Sequence, residues 1–416
     1  MNRTEPLKTV ISGMGRIAWA FHMPTLWKDP RFRLIAAVDP VPERRAEAEA
    51  MYPGLRTYAD FSTMLRGEPE AELAVVTSPT PMHRDQSIEA MEHGLDVFCE
   101  KPLAESLDSA RAIADAVERT GRRFMVFQPH RERPESKFMR DLRASGKIGR
   151  IFLVRRVSHS FNRRADWQSQ IAKGGGMIRN YGVHYMDQFL SVFGPGPLTL
   201  VGASLQHAVG IGDADDVTQL LLRTPEGVVG HIDINLGCAY QENMWYAYGE
   251  YGSVEIDTFG GKGRLRYLDE TARHSTLALD EGYAAKDRKY GLETNLPWID
   301  EEIELPPADM PAYYNAVWDY YAHGGEPVVP LADSLEVMRL IELARAEPVV
   351  SPAEAKGMEK GGRPATERPP FCFLSRAYSS KSVCHASSGR SFSKAALRPQ
   401  PSTIRTSLPS TKTATV

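Results

Sequence analysis

The chain has 416 residues, more than a single hydrophobic core usually supports, so two or three domains are expected. Its composition of 42% hydrophobic and 25% charged residues is that of an ordinary globular protein and excludes a collagen-like, coiled-coil or wholly disordered chain. The 50 lysines and arginines nearly balance the 53 acidic residues, and the net charge of −3 gives no electrostatic footprint for binding nucleic acid or an anionic membrane.

Strands and helices alternate through the first third of the chain. Strands are predicted at 7–12, 34–38, 73–77, 97–99 and 124–127, and helices from the turn at 13–18 to about 27 and at 42–51, 83–93 and 106–120. The strand at 73–77 is apolar without alternation, which is typical of a strand buried in a parallel sheet. Repeated alternation of this kind predicts right-handed crossovers and a doubly wound parallel sheet, so we expect an α/β Rossmann domain over residues 1–129.

The pattern changes after Gly149. Strands with glycine turns are predicted at 151–158, 199–206, 217–223, 228–235, 245–249, 253–258 and 264–268. They predict an α+β C-terminal domain over residues 130–350 with a large, mainly antiparallel open sheet. One helix is predicted at 178–193 and two more at 312–323 and 331–346, and the last of these, near 325–346, can return to the first domain.

The last 66 residues differ in composition from the rest. Residues 351–416 contain 11 lysines and arginines, 3 acidic residues and 12 serines, which leaves residues 1–350 with a net charge of −11. The segment has no sustained apolar period, so we expect a basic, Ser-rich and mostly disordered tail. A linker, an adventitious extension and an interaction tail are equally compatible with it.

Neither export nor a metal site is expected. The four cysteines have no CxxC spacing, which argues against a disulfide scaffold or a zinc site and fits a reducing compartment. The N-terminus lacks an apolar signal segment, and no apolar stretch approaches the ~18 residues that span a bilayer. We therefore expect a cytoplasmic protein.

A glycine-rich turn follows the first predicted strand. In Gly13-Met14-Gly15-Arg16-Ile17-Ala18 the glycines would let the backbone approach a pyrophosphate, and the next helix would offer free N–H groups at its N-terminus. Asp39 ends the second strand, where a carboxylate accepts the adenosine-ribose hydroxyls and repels a 2′-phosphate. The sequence therefore favours NAD over NADP, although Arg44 and Arg45 could soften that preference and leave NADP possible.

Two further loops follow strands at the sheet edge where ligands bind in such folds. The first is Thr77-Ser78-Pro79-Thr80-Pro81 with His83, for which a polar turn that only caps the next helix is the alternative. The second is Glu100-Lys101-Pro102, whose lysine can stabilise an alkoxide or hold a hydroxyl near a nicotinamide. We expect both loops to bind the cofactor, together with Gln128 after the last strand of this domain.

These motifs together resemble the Gfo/Idh/MocA family of NAD(P)-dependent sugar and polyol oxidoreductases, and the resemblance extends over about residues 6–346. It implies that Lys101 is the catalytic lysine and that residues 174–187, GGGMIRNYGVHYMD, form a second catalytic segment. His184 stands where the family has its histidine, whereas Asn180 stands where an aspartate is usual. Asp166-Trp167 resembles a family segment near the nicotinamide, so Trp167 is expected at the cofactor.

The spacing within this segment supports the same roles. On an α-helix, Asn180, His184 and Asp187 share one face and would point toward one cleft. His184 titrates near neutrality and can take the proton of a substrate hydroxyl as a hydride leaves the same carbon. Asn180 can orient a hydroxyl but cannot accept a proton, so the role of base falls on His184. A structural histidine paired with Asp187 is the alternative.

Other side chains are candidates for contact with substrate. Arg131 and Arg163 could meet an acidic or polyhydroxylated molecule, although arginines more often lie on a solvated face. Tyr181 lies between Asn180 and His184. The aromatic residues Tyr240, Trp245, Tyr246, Tyr248 and Tyr251 could stack on a sugar, but at strand-like spacing a hydrophobic sheet face is favoured.

The leading hypothesis is an NAD-dependent dehydrogenase that acts on the CH–OH group of a sugar, polyol or sugar derivative, or runs the reverse reduction. Because Asn180 replaces the usual acid, a non-catalytic nucleotide-binding sensor of the same fold is the second hypothesis. NAD-dependent glycoside hydrolysis is the third. We expect a homodimer or homotetramer that assembles through the C-terminal sheet, since an open apolar sheet face needs cover.

Overall fold

The computed structural model describes residues 5–346, except for 258, 276, 280–281 and 283–290. Two sheets form within these residues, one parallel and one mainly antiparallel. The predicted disordered tail at 351–416 lies outside the described residues. In the described ranges, no helix has the length and apolarity that a membrane crossing requires.

The first sheet has six parallel strands, which are β1 (Leu7–Ser12), β2 (Phe32–Val38), β3 (Arg56–Tyr58), β4 (Leu73–Val76), β5 (Asp96–Cys99) and β6 (Phe124–Val126). Their order is β3-β2-β1-β4-β5-β6, with every neighbouring pair parallel. This is the doubly wound Rossmann order, in which the direction of winding reverses between β1 and β4 and opens a crevice at their carboxyl ends. The predicted sheet is confirmed.

Helices connect these strands, namely α1 (Met23–Lys28), α2 (Pro42–Met51), α3 (Phe61–Gly67), α4 (His83–Glu92) and α5 (Leu107–Thr120). A π-helical turn over Ala18–His22 precedes α1. The hydroxyl of Ser106 caps α5 by accepting the backbone N–H of Ser109, and Gly121 ends it in the left-handed conformation. β4 is buried along its whole length, as expected when helices cover both faces of a parallel sheet.

The second sheet has eight strands, which are β7 (Ile151–His159), β8 (Thr199–Gln206), β9 (Val217–Arg223), β10 (Val229–Asn235), β11 (Trp245–Gly249), β12 (Gly252–Ile256), β13 (Lys262–Leu268) and β14 (Trp298–Glu304). The order is β14-β13-β12-β11-β7-β10-β9-β8, and only the β7–β10 pair is parallel. The mainly antiparallel sheet predicted for this part of the chain is therefore confirmed.

Four further helices follow the first sheet in the chain, namely α6 (Pro134–Ser145), α7 (Val183–Phe193), α8 (Tyr313–Trp318) and α9 (Leu331–Arg345). α8 packs on the first sheet, where Tyr314 and Trp318 contact the ring of Phe32. α7 packs on β10, where a side chain at Gly230 would collide with the ring of Phe189. α9 joins the two parts of the fold: Glu342 accepts the backbone N–H of Leu107 at the start of α5, and Arg339 donates to the carbonyl of Leu198 just before β8.

The elements missing from the sequence prediction are β3, α3, α6 and β14. The first two are short, at three and seven residues, and leave little periodicity to detect. β14 is an edge strand that contains four acidic residues, and these obscure the alternation of apolar and polar side chains that would mark a strand. α6 carried readable signals, a proline in its first turn and the left-handed Gly146 after its last residue.

Candidate active site

The glycine-rich turn lies at the carboxyl end of β1, beside the loop that follows β4. Gly13 has a positive φ of 89°, and a Cβ there would lie 2.7 Å from the backbone of Ser78, so only glycine fits. A Cβ at Gly15 would meet no protein atom within 4 Å. The space left above Gly15 is the cradle that a pyrophosphate needs, and the residues present fit a dinucleotide.

Asp39 follows β2 and supports this turn. Its Oδ2 accepts the backbone N–H of Met14 at 3.0 Å, and its Oδ1 accepts that of Val41 at 3.0 Å. The guanidinium of Arg44 lies 3.3 Å from Oδ2. The carboxylate is buried, so a ribose would have to use its remaining lone pairs, and the partly exposed Arg44 would stand beside that ribose.

The loops after β4 and β5 are tied together by His83. Its Nδ1 lies 2.9 Å from the carbonyl oxygen of Pro102, and its Nε2 lies 2.9 Å from that of Ser78. The ring is buried, and each nitrogen faces a backbone carbonyl oxygen, so the neutral ring donates to one of the two. The imidazole thus packs between the two loops, and its direct contact with the cofactor stays a prediction. Thr77 at the same junction donates its hydroxyl to Gly13.

The carboxylate of Glu100 is likewise buried and bonded to protein groups. Its Oε1 lies 3.0 Å from Nε2 of His22, and its Oε2 accepts the backbone N–H of Lys101 at 3.0 Å. Nδ1 of His22 is 2.7 Å from the hydroxyl of Tyr314 on α8. This buried chain fixes the direction of the Glu100-Lys101-Pro102 loop, whose Lys101–Pro102 peptide bond is cis.

Lys101 reaches the turn that precedes α7. Its Nζ donates to the backbone oxygen of Asn180 at 2.9 Å and to the side-chain oxygen at 3.2 Å. Both acceptors are uncharged, and among the described residues no carboxylate bonds Nζ. Burial lowers the pKa of Lys101, with Glu100 acting in the opposite direction. The ammonium is thus held in place while its charge stays available to a ligand.

The amide of Asn180 is oriented by a residue that the sequence analysis missed. Asn180 Nδ2 donates to Oε1 of Gln168 at 3.1 Å, and Gln168 Nε2 lies 3.4 Å from Asn180 Oδ1. This reciprocal pair turns the Asn180 oxygen toward Lys101. Gln168 follows the Asp166-Trp167 segment, but only the tertiary structure brings it to Asn180, since twelve positions separate them.

His184 lies in the first turn of α7, one turn after Asn180. Its Nδ1 is 2.5 Å from Oε1 of Gln128, and its ring stacks on that of His130 with centroids 4.0 Å apart. Burial holds the pKa of His184 well below its usual value, and the neighbouring charges of His130, Lys101, Arg133 and Arg156 act in the same direction. The imidazole is therefore neutral at physiological pH and able to accept a proton.

Arg131 and Asp187, by contrast, are paired with each other. Nε and Nη2 of Arg131 donate to the two oxygens of Asp187, each at 2.7 Å, and Nη2 also donates to Asp333 at 2.8 Å. Nη1 donates to the carbonyl of Val328, and all these groups are buried. This network occupies both side chains and gives no support to a substrate contact of Arg131 or a cleft shared by Asp187 and His184, which stay predictions.

Asn180 lies in a π-helical turn over Ile178–Gly182, whereas His184 and Asp187 both lie on α7. The predicted common face of Asn180, His184 and Asp187 assumed uniform α-helix, whereas a π turn holds one more residue per hydrogen-bonded ring. The backbone N–H groups at the start of this turn are held by Asp215, whose main-chain oxygen accepts from Met177 and whose Oδ2 accepts from Ile178. Asp215 is a second residue that the sequence analysis did not select.

Five further predicted residues are exposed. Trp167 and Tyr181 keep 50% and 39% of their surface accessible, and the guanidinium of Arg163 lies 6.0 Å from the ring centre of Phe161. Ile17 and Arg16 are exposed on the glycine-rich turn, and the charge of Arg16 helps to lower the pKa of Asp166, after the hydrogen bond from Arg164. The segment that holds Asp166 therefore lies close to that turn. Their contact with cofactor or substrate stays a prediction.

The described residues contain no group of His, Cys, Asp and Glu side chains arranged to hold a metal ion. The aromatic side chains of β11 alternate between the two faces of the sheet, as the sequence pattern favoured. Trp245 is buried, whereas Tyr246 and Tyr248 are partly exposed on the other face.

Comparison with known proteins gives two family matches. Residues 7–128 match a family described as "Oxidoreductase family, NAD-binding Rossmann fold", and residues 137–255 match one described as "GFO/IDH/MocA C-terminal domain". Together these cover more than half of the chain and include every strand from β1 to β12, apart from one residue at the end of β12.

Several relatives match along most of their length. The uncharacterized oxidoreductase YdgJ of Escherichia coli K12 is 25% identical over 345 residues, 82% of this chain and 96% of its own. D-apiose dehydrogenase of Paraburkholderia graminis is 26% identical over 319 residues, 76% of this chain and 81% of its own. Among solved structures, an NAD-binding protein from Listeria innocua superposes with a TM-score of 0.69 at 24% identity, covering 82% of this chain and 97% of that one, and shows the shared fold.

Proposed function

Because the chain belongs to the Gfo/Idh/MocA family of oxidoreductases with an NAD-binding Rossmann domain, we propose that it is a dehydrogenase acting on the CH–OH group of a small carbohydrate. The substrate would be a sugar, polyol or sugar derivative, and the reaction would oxidise a secondary hydroxyl or reduce the corresponding ketone. The name of one relative, D-apiose dehydrogenase, supports a sugar as the substrate class.

The observation that carries this proposal is the contact between Lys101 and the turn that leads into α7. The ammonium lies 2.9 Å from the backbone oxygen of Asn180, one helical turn before His184, and its charge contributes to the low pKa of the imidazole. A fixed cation and a neutral base near each other are what the removal of a proton from a hydroxyl requires.

We assign the two side chains complementary roles. His184 would take the proton of the substrate hydroxyl, and Lys101 would stabilise the alkoxide that forms. Asn180 would orient the hydroxyl through its amide without taking a proton. The bound NAD would supply the nicotinamide that accepts the hydride from the same carbon.

The glycine-rich turn, Asp39 and the loops after β4 and β5 would hold the cofactor. Asp39 favours NAD, since its carboxylate would repel a 2′-phosphate. Arg44, 3.3 Å from that carboxylate, is the residue through which NADP could still bind.

A second candidate function rests on Asn180. The family usually has an aspartate at this position, and its absence favours a sensor that binds the nucleotide without turnover. The purified protein, incubated with NAD and a panel of sugars and polyols while the absorbance of reduced cofactor is followed, separates the two. Turnover of any member supports the dehydrogenase, whereas tight NAD binding without turnover across the panel supports the sensor.

We further propose that the open sheet is covered by a second copy of the chain. On the face opposite α7, Tyr246 and Tyr248 of β11 are partly exposed, and the guanidinium of Arg155 lies 5.1 Å from the ring centre of Tyr246. Such an aromatic face is suited to burial between subunits. Light scattering of the purified protein tests this, and a monomer would contradict it.

A further inference from the structure

Gln128 lies between the end of β6 and the first turn of α7. It was predicted to bind the cofactor, but the side chain is buried and both ends of its amide bond α7. Oε1 is 2.5 Å from Nδ1 of His184, and Nε2 donates to the carbonyl oxygen of Val183 at 3.3 Å. We propose that Gln128 is a positioning residue that fixes the tautomer of His184, with the proton on Nδ1 and the lone pair on Nε2.

The carbonyl of Val183 determines which way the amide of Gln128 points. If the amide were reversed, its oxygen would face the Val183 oxygen, and two acceptors would meet without a proton between them. The amide nitrogen must therefore face Val183, which leaves Oε1 toward His184. An oxygen that only accepts requires a donor, so Nδ1 of His184 carries the proton.

Nε2 is then the nitrogen that can accept a proton from a substrate. Among the described residues no group bonds Nε2, whereas Nδ1 is occupied. The inference rests on the proposed function, in which His184 is the base, and it identifies which of the two ring nitrogens acts. In the opposite tautomer Nε2 would carry a proton and could accept none from the substrate.

The charges around His184 explain why a neutral acceptor suits this position. Lys101 from the loop after β5, His130 and Arg133 from the segment before α6, and Arg156 from β7 all disfavour a charged imidazole. Gln128 accepts the hydrogen bond without adding a counter-charge, so the ring stays neutral and keeps the lone pair on Nε2 free. A carboxylate in the same place would stabilise the imidazolium and raise the pKa of His184.

The test is the tautomer of His184 in the full chain without cofactor. Protein labelled with ¹⁵N at histidine gives long-range proton–nitrogen correlations in which protonated and unprotonated ring nitrogens are resolved, and the signals missing from His184→Gln assign His184. We expect a protonated Nδ1 and an unprotonated Nε2 near neutral pH. A protonated Nε2 in the wild-type protein would overturn the proposal without any variant having to fold.

Two variants extend the test. Gln128→Leu has a similar size but accepts no hydrogen bond, so the spectrum should move toward the Nε2–H tautomer, and kcat should fall about 10- to 100-fold with little change in affinity for NAD. Gln128→Glu should keep the tautomer and move the acid limb of the pH–rate profile to higher pH. An unchanged tautomer in folded Gln128→Leu would overturn the proposal.

Gln86→Leu is the matched control for the spectrum. It also removes a buried glutamine amide, one that accepts hydrogen bonds from Ser12 of β1 and from Ser78 in the loop after β4, so the signals of His184 should not move. Failure of the two proposals is distinguishable: the predicted tautomer without turnover of any sugar would refute the dehydrogenase alone, and turnover with the opposite tautomer would refute the role of Gln128 alone.

Discussion

The ammonium of Lys101 lies 2.9 Å from the backbone oxygen and 3.2 Å from the side-chain oxygen of Asn180. These contacts join the loop after β5 to the turn before α7, two segments that are 79 positions apart in the chain. They also place an uncharged amide where the family resemblance implies an aspartate. The consequences of that substitution can be measured.

Asn180→Asp should raise the pKa of Lys101, because a carboxylate would face the ammonium at about the distance that the amide oxygen now occupies. If the charged lysine is needed for turnover, the alkaline limb of the pH–rate profile should move to higher pH, with kcat near neutrality kept within about tenfold. Asn315→Asp on α8 adds the same charge beside Arg31, with which Asn315 forms an exposed hydrogen bond, and should leave the limb in place. If the alkaline limb of Asn180→Asp stays where it is in the wild type, a charged Lys101 is not what turnover requires.

Asp39→Asn tests the cofactor preference. The amide oxygen can still accept the N–H of Met14, but the charge that repels a 2′-phosphate is lost. We expect the ratio of NADPH to NADH dissociation constants to fall about tenfold or more, as measured by titration of cofactor fluorescence. A ratio equal to that of the wild type would rule out the ribose contact.

Asp187→Asn should destabilise the protein, because Arg131 would be left buried with its main carboxylate partner removed. Breaking a buried pair of this kind costs about 3–5 kcal/mol, which should lower Tm by several degrees. Asp300→Asn removes an ion pair with Arg266 in which both side chains are more than half exposed, and its effect on Tm should be small. Equal decreases in Tm for the two variants would show that the buried Arg131 network adds no more stability than an exposed ion pair.

The stability of the protein should fall as the pH drops below about 6.5. Burial holds the pKa values of His130 and His184 well below the ordinary histidine value, so the unfolded chain binds protons in this range that the folded chain does not. The free energy of unfolding then decreases by about 1.4 kcal/mol per pH unit for each extra proton. Urea midpoints measured between pH 8 and pH 5 should show this decline, and His184→Gln should make it shallower. A midpoint constant across that range would contradict the buried neutral pair.

The fold was largely predictable because its signals are local. Residues 73–76 are uniformly apolar, and the Gly13–Ala18 turn with Asp39 needs only the order of β1, a turn and β2 to be interpreted. The short β3 and α3 contain too few residues to show a hydrophobic periodicity. The charged β14 depends on its partner β13, where Arg266 pairs with Asp300, and such pairs cannot be inferred from either strand alone.

The candidate site was predictable only in part, for a related reason. Motif position selected Lys101, Asn180 and His184 as candidates. The partners that orient them, Gln128 and Gln168, have no distinguishing sequence context, and Gln128 was given a different role. Arg131 was expected at substrate, yet its guanidinium pairs with Asp187 and Asp333, and which charged groups become buried together depends on the packed tertiary structure.

The most direct test of the account compares Lys101→Met, His184→Gln and the double variant with the wild type on the best sugar substrate. If the two side chains act on one proton transfer, each single variant should lower kcat about 100-fold or more with the dissociation constant for NAD nearly unchanged, and the double variant should be little worse than either. Turnover close to that of the wild type in either single variant would contradict the central claim that Lys101 and His184 carry the chemistry.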